Sequence, residues 1–137
     1  MRRVITLILA LATLATMTTT AFAALPEEPI VSPQYTYIEF ISTGLTVQDA
    51  TFGVLSISAY CLSASGTIVQ IECMLQQYSG GWNTIKTWNA SGIVEATLDK
   101  QYAVAKGYSY RIYVTYSIRN SSGALLESTI KTRSCYY

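Results

Sequence analysis

Histidine is absent from the 137-residue chain. That one absence removes the commonest general base, the commonest metal ligand and the ordinary serine or cysteine triad. No catalytic residue, metal ligand or cofactor is therefore assigned, and an enzyme is not expected. Charge is scarce as well: Asp, Glu, Lys and Arg make up 12% of the chain and form no block of one sign. A nucleic-acid footprint and a polybasic membrane patch both need such a block. The three cysteines, Cys61, Cys73 and Cys135, match neither zinc-ligand spacing nor a C-x-x-C redox pair. Helical periodicity is missing too, since no apolar spacing near 3.6 residues lasts beyond a turn or two.

The chain does hold one long apolar run, and it lies at the start. Arg2 and Arg3 precede an apolar stretch from Val4 to Met17, and Ala21, Phe22 and Ala23 present a small-x-small cleavage site. This pattern reads as a secretory signal peptide over residues 1–23. The run is shorter than the roughly 20 residues a bilayer core requires, so no membrane span is expected after cleavage. The protein is placed outside the cell or at its surface. Without Arg2 and Arg3, seven basic side chains face eight acidic ones, a net charge of −1. Residues 24–34 hold three prolines and two glutamates and read as an extended leader that cannot sit inside a sheet. Residues 35–137 are then long enough for one domain with a real core.

Within that domain the apolar positions alternate with polar ones, and Tyr, Ile, Val and Thr dominate, which is strand chemistry. Seven strands are expected: Tyr35 to Ile41, Val54 to Leu62, Thr67 to Tyr78, Trp82 to Trp88, Ile93 to Leu98, Tyr108 to Ile118 and Leu125 to Cys135. Bends fall at Thr43 with Gly44, and turns at Ser79 to Gly81, Asn89 to Gly92 and Asn120 to Gly123. Seven short antiparallel strands in about a hundred residues point to an all-β, immunoglobulin-like or fibronectin-type β-sandwich, with a small barrel as the alternative. Tyr108, opening the sixth strand, stands where a tyrosine corner would sit, and reads equally as one more strand tyrosine.

The order of Tyr35-Thr-Tyr-Ile38, Gly44-Leu-Thr-Val47, Met74-Leu-Gln76, Gly81-Trp82, Thr87-Trp88 and Gly107-Tyr-Ser-Tyr-Arg111 resembles a family of small exported proteins of Gram-positive gut bacteria, described only as a domain of unknown function. The resemblance implies a secreted all-β domain and carries over no site residues.

Cys61 and Cys73 both point inward, and an exported compartment permits a disulfide. A simple hairpin would leave them about 10 Å apart along the strand, whereas strands in opposite sheets relax that register. Cys61 with Cys73 is the first choice, Cys61 with Cys135 the second and three thiols the third. Trp82, Thr84, Lys86 and Trp88 would share one strand face, either as an aromatic platform or as core closure. Asn89 and Asn120 each open a glycosylation sequon, and both are read in preference as turn chemistry because the signal peptide looks bacterial. If the domain binds something, the expected patch is an outer sheet face made by Glu72, Gln76, Lys86, Arg111 and Tyr113, because Arg and aromatic side chains on rigid strands anchor recognition. The partner would be a protein or a glycan. A structural envelope component and a small antibacterial toxin are the alternatives.

Overall fold

Strand alternation sets the architecture. In the computed structural model, which describes residues 33–137, every second residue of the central strands is withdrawn from solvent. Seven strands result: β1 Ile38–Asp49, β2 Val54–Ser63, β3 Ile68–Tyr78, β4 Trp82–Ile93, β5 Glu95–Ala103, β6 Ser109–Arg119 and β7 Leu125–Tyr136. They form two antiparallel sheets, one ordered β1-β2-β5 and one ordered β4-β3-β6-β7. The fold is an all-β sandwich of the fibronectin type: the fourth strand joins the sheet of the third, sixth and seventh, whereas in the immunoglobulin constant type it joins the other sheet. The signal segment 1–23 and nearly all of the leader 24–34 lie outside the described residues. Among the described residues no helix is long and apolar enough to cross a membrane.

The core is the meeting of two inward stripes. Leu55, Ile57, Ala59 and Cys61 of β2 face Val69, Ile71, Cys73 and Leu75 of β3 and Tyr110, Ile112, Val114 and Tyr116 of β6. All twelve are essentially inaccessible to water. Two of them carry polar atoms, and both are satisfied. The Tyr116 hydroxyl donates to the Ser42 carbonyl at 2.8 Å and lies 2.7 Å from Thr43 Oγ1, which ties the centre of one sheet to the edge of the other. The Tyr110 hydroxyl donates to the Ala105 carbonyl at 2.6 Å. The tyrosine corner is therefore made by Tyr110, not Tyr108. Tyr108 is partly exposed and instead extends the β6–β7 ladder through backbone bonds to Tyr137.

Three segments depart from expectation. β1 does not bend at Gly44 but runs on to Asp49. Gly44 lies opposite Ser58, and a Cβ there would come 2.5 Å from Ser58 Oγ, so the glycine allows close strand contact where the sequence suggests a turn. β4 likewise passes straight through Asn89 to Gly92, with Asn89 paired to Glu72 and Ser91 to Gln70. The turn reading holds at Asn120, whose side chain accepts the Ala124 N–H at 2.8 Å, and fails at Asn89. The chain then changes sheet at Val94, whose φ of 67° is strained for a β-branched residue. Backbone bonds hold it there: Val94 N–H donates to Thr67 O at 3.0 Å, and Ser63 N–H donates to Val94 O at 2.8 Å. At Gly92 any Cβ would collide with the Glu95 carbonyl.

Candidate functional site

The outer face of the four-stranded sheet collects the long polar side chains. Gln70, Glu72, Met74 and Gln76 alternate outward along β3, and Arg111, Tyr113, Thr115, Ser117 and Arg119 do so along β6. Four of the five expected patch residues meet on this face. Gln76 lies directly opposite Arg111, Met74 opposite Tyr113, and Glu72 opposite Thr115. Lys86 falls outside the group. It sits at the β4 edge opposite Leu75, whose side chain enters the core.

The cause is a bulge that the sequence does not announce. Leu75 pairs with Lys86 and Gln76 with Thr84, leaving Ile85 as the extra residue on β4. A bulge shifts the alternation by one, so Trp82 and Trp88 no longer share a face. Trp88, opposite Cys73, packs against the core and meets Tyr102 of the other sheet edge-on at 5.7 Å. Trp82 stays outside, yet it is no open platform. The Arg111 guanidinium lies 4.3 Å above its ring, and Tyr78 abuts it edge-on at 5.3 Å. The packing alternative holds for Trp88, and the two tryptophans do not form one platform.

Arg111 is held in place. Its Nε donates to Gln76 Oε1 at 2.7 Å, and Gln76 Nε2 donates in turn to Thr84 Oγ1 at 3.0 Å. A guanidinium stacked on an aromatic ring and fixed at Nε presents its terminal N–H groups in one orientation. The far end of β6 holds a second arginine by hydrogen bonds: Arg119 Nε donates to Gln70 Oε1 at 2.8 Å and Nη1 to the Gly123 carbonyl at 2.9 Å. Between the two arginines the strands carry the short side chains Asn89, Ser91, Thr115 and Ser117. A trough of about 490 Å³ opens there, walled by these residues with Gln70, Glu72 and Arg119. Sequence reasoning found the arginine end of this face but missed the trough, because Asn89 and Ser91 read as a turn.

No family model matches the chain, and no match to a curated protein is found.

The cysteines take no part in this face. Cys61 and Cys73, expected as the first choice for a disulfide, are buried free thiols entering the core from opposite sheets, and Cys135 is a half-buried free thiol. Burial pushes both core thiols up to about 11, which leaves them protonated and inert, small apolar fillers in effect. Among the described residues no three side chains of His, Cys, Asp or Glu gather as a metal site would require.

The four edge strands matter for what kind of binding is open. β4 carries its bulge and Lys86; β7 places Lys131 and Arg133 at inward positions opposite Val114 and Ile112; β5 places Lys100 opposite Ile57. β1 has irregular pairing at both ends. Inward-placed charges and bulges are the devices that stop a further strand from pairing.

Proposed function

We propose that the protein is a secreted, non-catalytic binding domain that recognises its ligand on the outer face of the four-stranded sheet. The observation that carries this reading is the fixed orientation of Arg111 over Trp82 by the Gln76–Thr84 relay, beside a polar trough. A long side chain already ordered in the free protein loses little rotamer entropy when a ligand arrives, and this entropy otherwise costs about 0.5–1.5 kcal/mol per side chain. Surface arginines that merely keep a sheet soluble need no such relay. The blunted sheet edges favour recognition by a face over addition of a strand.

The test is an array of cell-wall fragments, glycans and secreted proteins, followed by Arg111→Ala with Tyr113→Ala. The expected result is at least a tenfold loss of affinity for the strongest array ligand, with the melting temperature within a few degrees of the parent. Full affinity in the double variant moves the site away from Arg111, to the trough or to the end loops around Gly66 and Asn120, and an array with no ligand favours a structural role.

A further inference from the structure

We infer that the trough between β4, β3 and β6 takes an acidic saccharide whose carboxylate is read by Arg119 and whose hydroxyls are read by Glu72 and Asn89. This rests on the face being a binding surface and goes on to name its ligand. Seven of the nine residues that line it are polar, the exceptions being Ile71 and Ala90. Peptide and protein recognition relies on buried aromatic or aliphatic anchors in a pocket, and nothing in the trough would receive one. Amides, hydroxyls and a carboxylate around an open volume of about 490 Å³ complement a ligand dense in hydroxyl groups. Among the described residues, no side-chain hydrogen bond engages Glu72, Asn89, Ser91 or Thr115; those on the face run along its rims.

Arg119 gives the ligand its charge. Both groups that fix it, the Gln70 amide oxygen and the Gly123 carbonyl, are neutral, so its positive charge is oriented without being compensated. An immobilised guanidinium fork with free donors matches a planar carboxylate. Glu72 sets the opposite requirement. It stands opposite Thr115, four residues or about 13 Å along the strand from the position of Arg119, and accepts from hydroxyls while repelling a second carboxylate. Attraction at one end with exclusion at the other selects one orientation of the chain.

The probe is a set of hexuronate oligosaccharides (oligogalacturonate, oligoguluronate and hyaluronan fragments), each beside its carboxyl-reduced counterpart, titrated calorimetrically into the purified protein. At least one acid form should bind tenfold or more tightly than its reduced form. Arg119→Gln should erase that difference without lowering the melting temperature, and raising salt should weaken the acid form alone. The inference fails if no acid form binds, if acid and reduced forms bind alike, or if Arg119→Gln keeps the preference. Ser91→Trp, which fills the trough from an exposed position, separates this failure from the broader one. Reduced or neutral chains that bind and are lost on Ser91→Trp leave the face as the site and overturn only the acidic assignment. Binding that survives both substitutions overturns the trough, and only its survival in Arg111→Ala with Tyr113→Ala as well overturns the face.

Discussion

The two outer faces of the sandwich are built on the same strand alternation, and the four-stranded one alone carries arginines held by hydrogen bonds on either side of a trough. On the three-stranded sheet the outward positions are Phe40, Ser42, Gly44 and Thr46 of β1, Ser56, Ser58, Tyr60 and Leu62 of β2, and Glu95, Thr97, Asp99 and Gln101 of β5, paired in register across the sheet. On the central strands of the four-stranded sheet they are Gln70, Glu72, Met74, Gln76, Arg111, Tyr113, Thr115, Ser117 and Arg119. Short side chains fill the middle of the three-stranded face, and its long ones gather at one end, where Phe40 packs on Tyr60 and the Tyr60 hydroxyl donates to Glu95. On the four-stranded face long amphipathic side chains, pinned by Gln76 and Gln70, make a surface with walls, a trough and oriented charge. The binding proposal rests on that difference in oriented charge.

That comparison presumes that inward and outward are correctly assigned, and the largest effect tests this. Ile112 is fully buried on β6 and Thr115 lies on the outer face of the same strand. Ile112→Ala should cost about 2–5 kcal/mol through lost burial and the cavity left behind, while Thr115→Ala should stay within about 0.5 kcal/mol. Equal shifts in a denaturant titration would break the assignment of faces.

The next effect concerns what holds the two sheets together. Tyr116→Phe strips Ser42 O and Thr43 Oγ1 of their partner and should cost about 1–3 kcal/mol. Burial, opposed by the Thr43 bond, pushes the Tyr116 hydroxyl up to about 12, and burial holds the Cys61 and Cys73 thiols at about 11. These groups resist ionising in the folded state and ionise earlier in the unfolded chain. Stability is thus complete below the ordinary thiol range and is lost as pH rises through about 9 to 12. In Tyr116→Phe the upper part of that loss, above pH 10, should shrink, as melting curves between pH 8 and 12 would show.

A smaller effect sits where β1 meets β7. Burial pushes the Glu127 carboxyl up, but N–H bonds from Thr36, Tyr37 and Ile38, at 2.8–3.0 Å, outweigh it and hold the group below its ordinary value. A depressed carboxyl contributes stability above its unfolded pKa that is lost as pH falls through the folded one. The melting temperature should therefore drop on acidification below about pH 4.5, and Glu127→Gln should flatten that drop. An unchanged acid limb would remove Glu127 as the latch on β1. The smallest effect is at the crossing between sheets: Val94→Gly relieves a strain of about 1–3 kcal/mol against a glycine entropy cost of about 1 kcal/mol. It should leave stability unchanged or slightly raised, and a clear loss would mean that the Val94 side chain contributes packing that outweighs its strain.

The sandwich was legible because β2, β3 and β6 keep strict alternation, so their buried residues could be read one by one. What escaped the sequence shares a physical cause: features set by a neighbouring strand. Gly44 suggests a bend until Ser58 is seen against it. Asn89 to Gly92 has turn composition, yet pairing with β3 and the steric need for Gly92 keep it extended. Tyr108 and Tyr110 are alternatives that only the distance to the Ala105 carbonyl separates. The candidate face was half legible for the same reason. Arg111, Tyr113, Glu72 and Gln76 follow from alternation, whereas the bulge at Ile85 displaces Lys86, divides the two tryptophans and lets the trough form beyond it.

Amide chemical-shift mapping bears most directly on the unequal faces. On titration with the strongest ligand from the array, perturbations should cluster at Gln70 to Gln76, Asn89 to Ser91 and Arg111 to Arg119, with Ser42 to Thr46 and Ser56 to Ser58 silent. Perturbations centred on the three-stranded sheet, or confined to the loops at Gly66 and Asn120, would contradict the assignment of the four-stranded face as the binding surface.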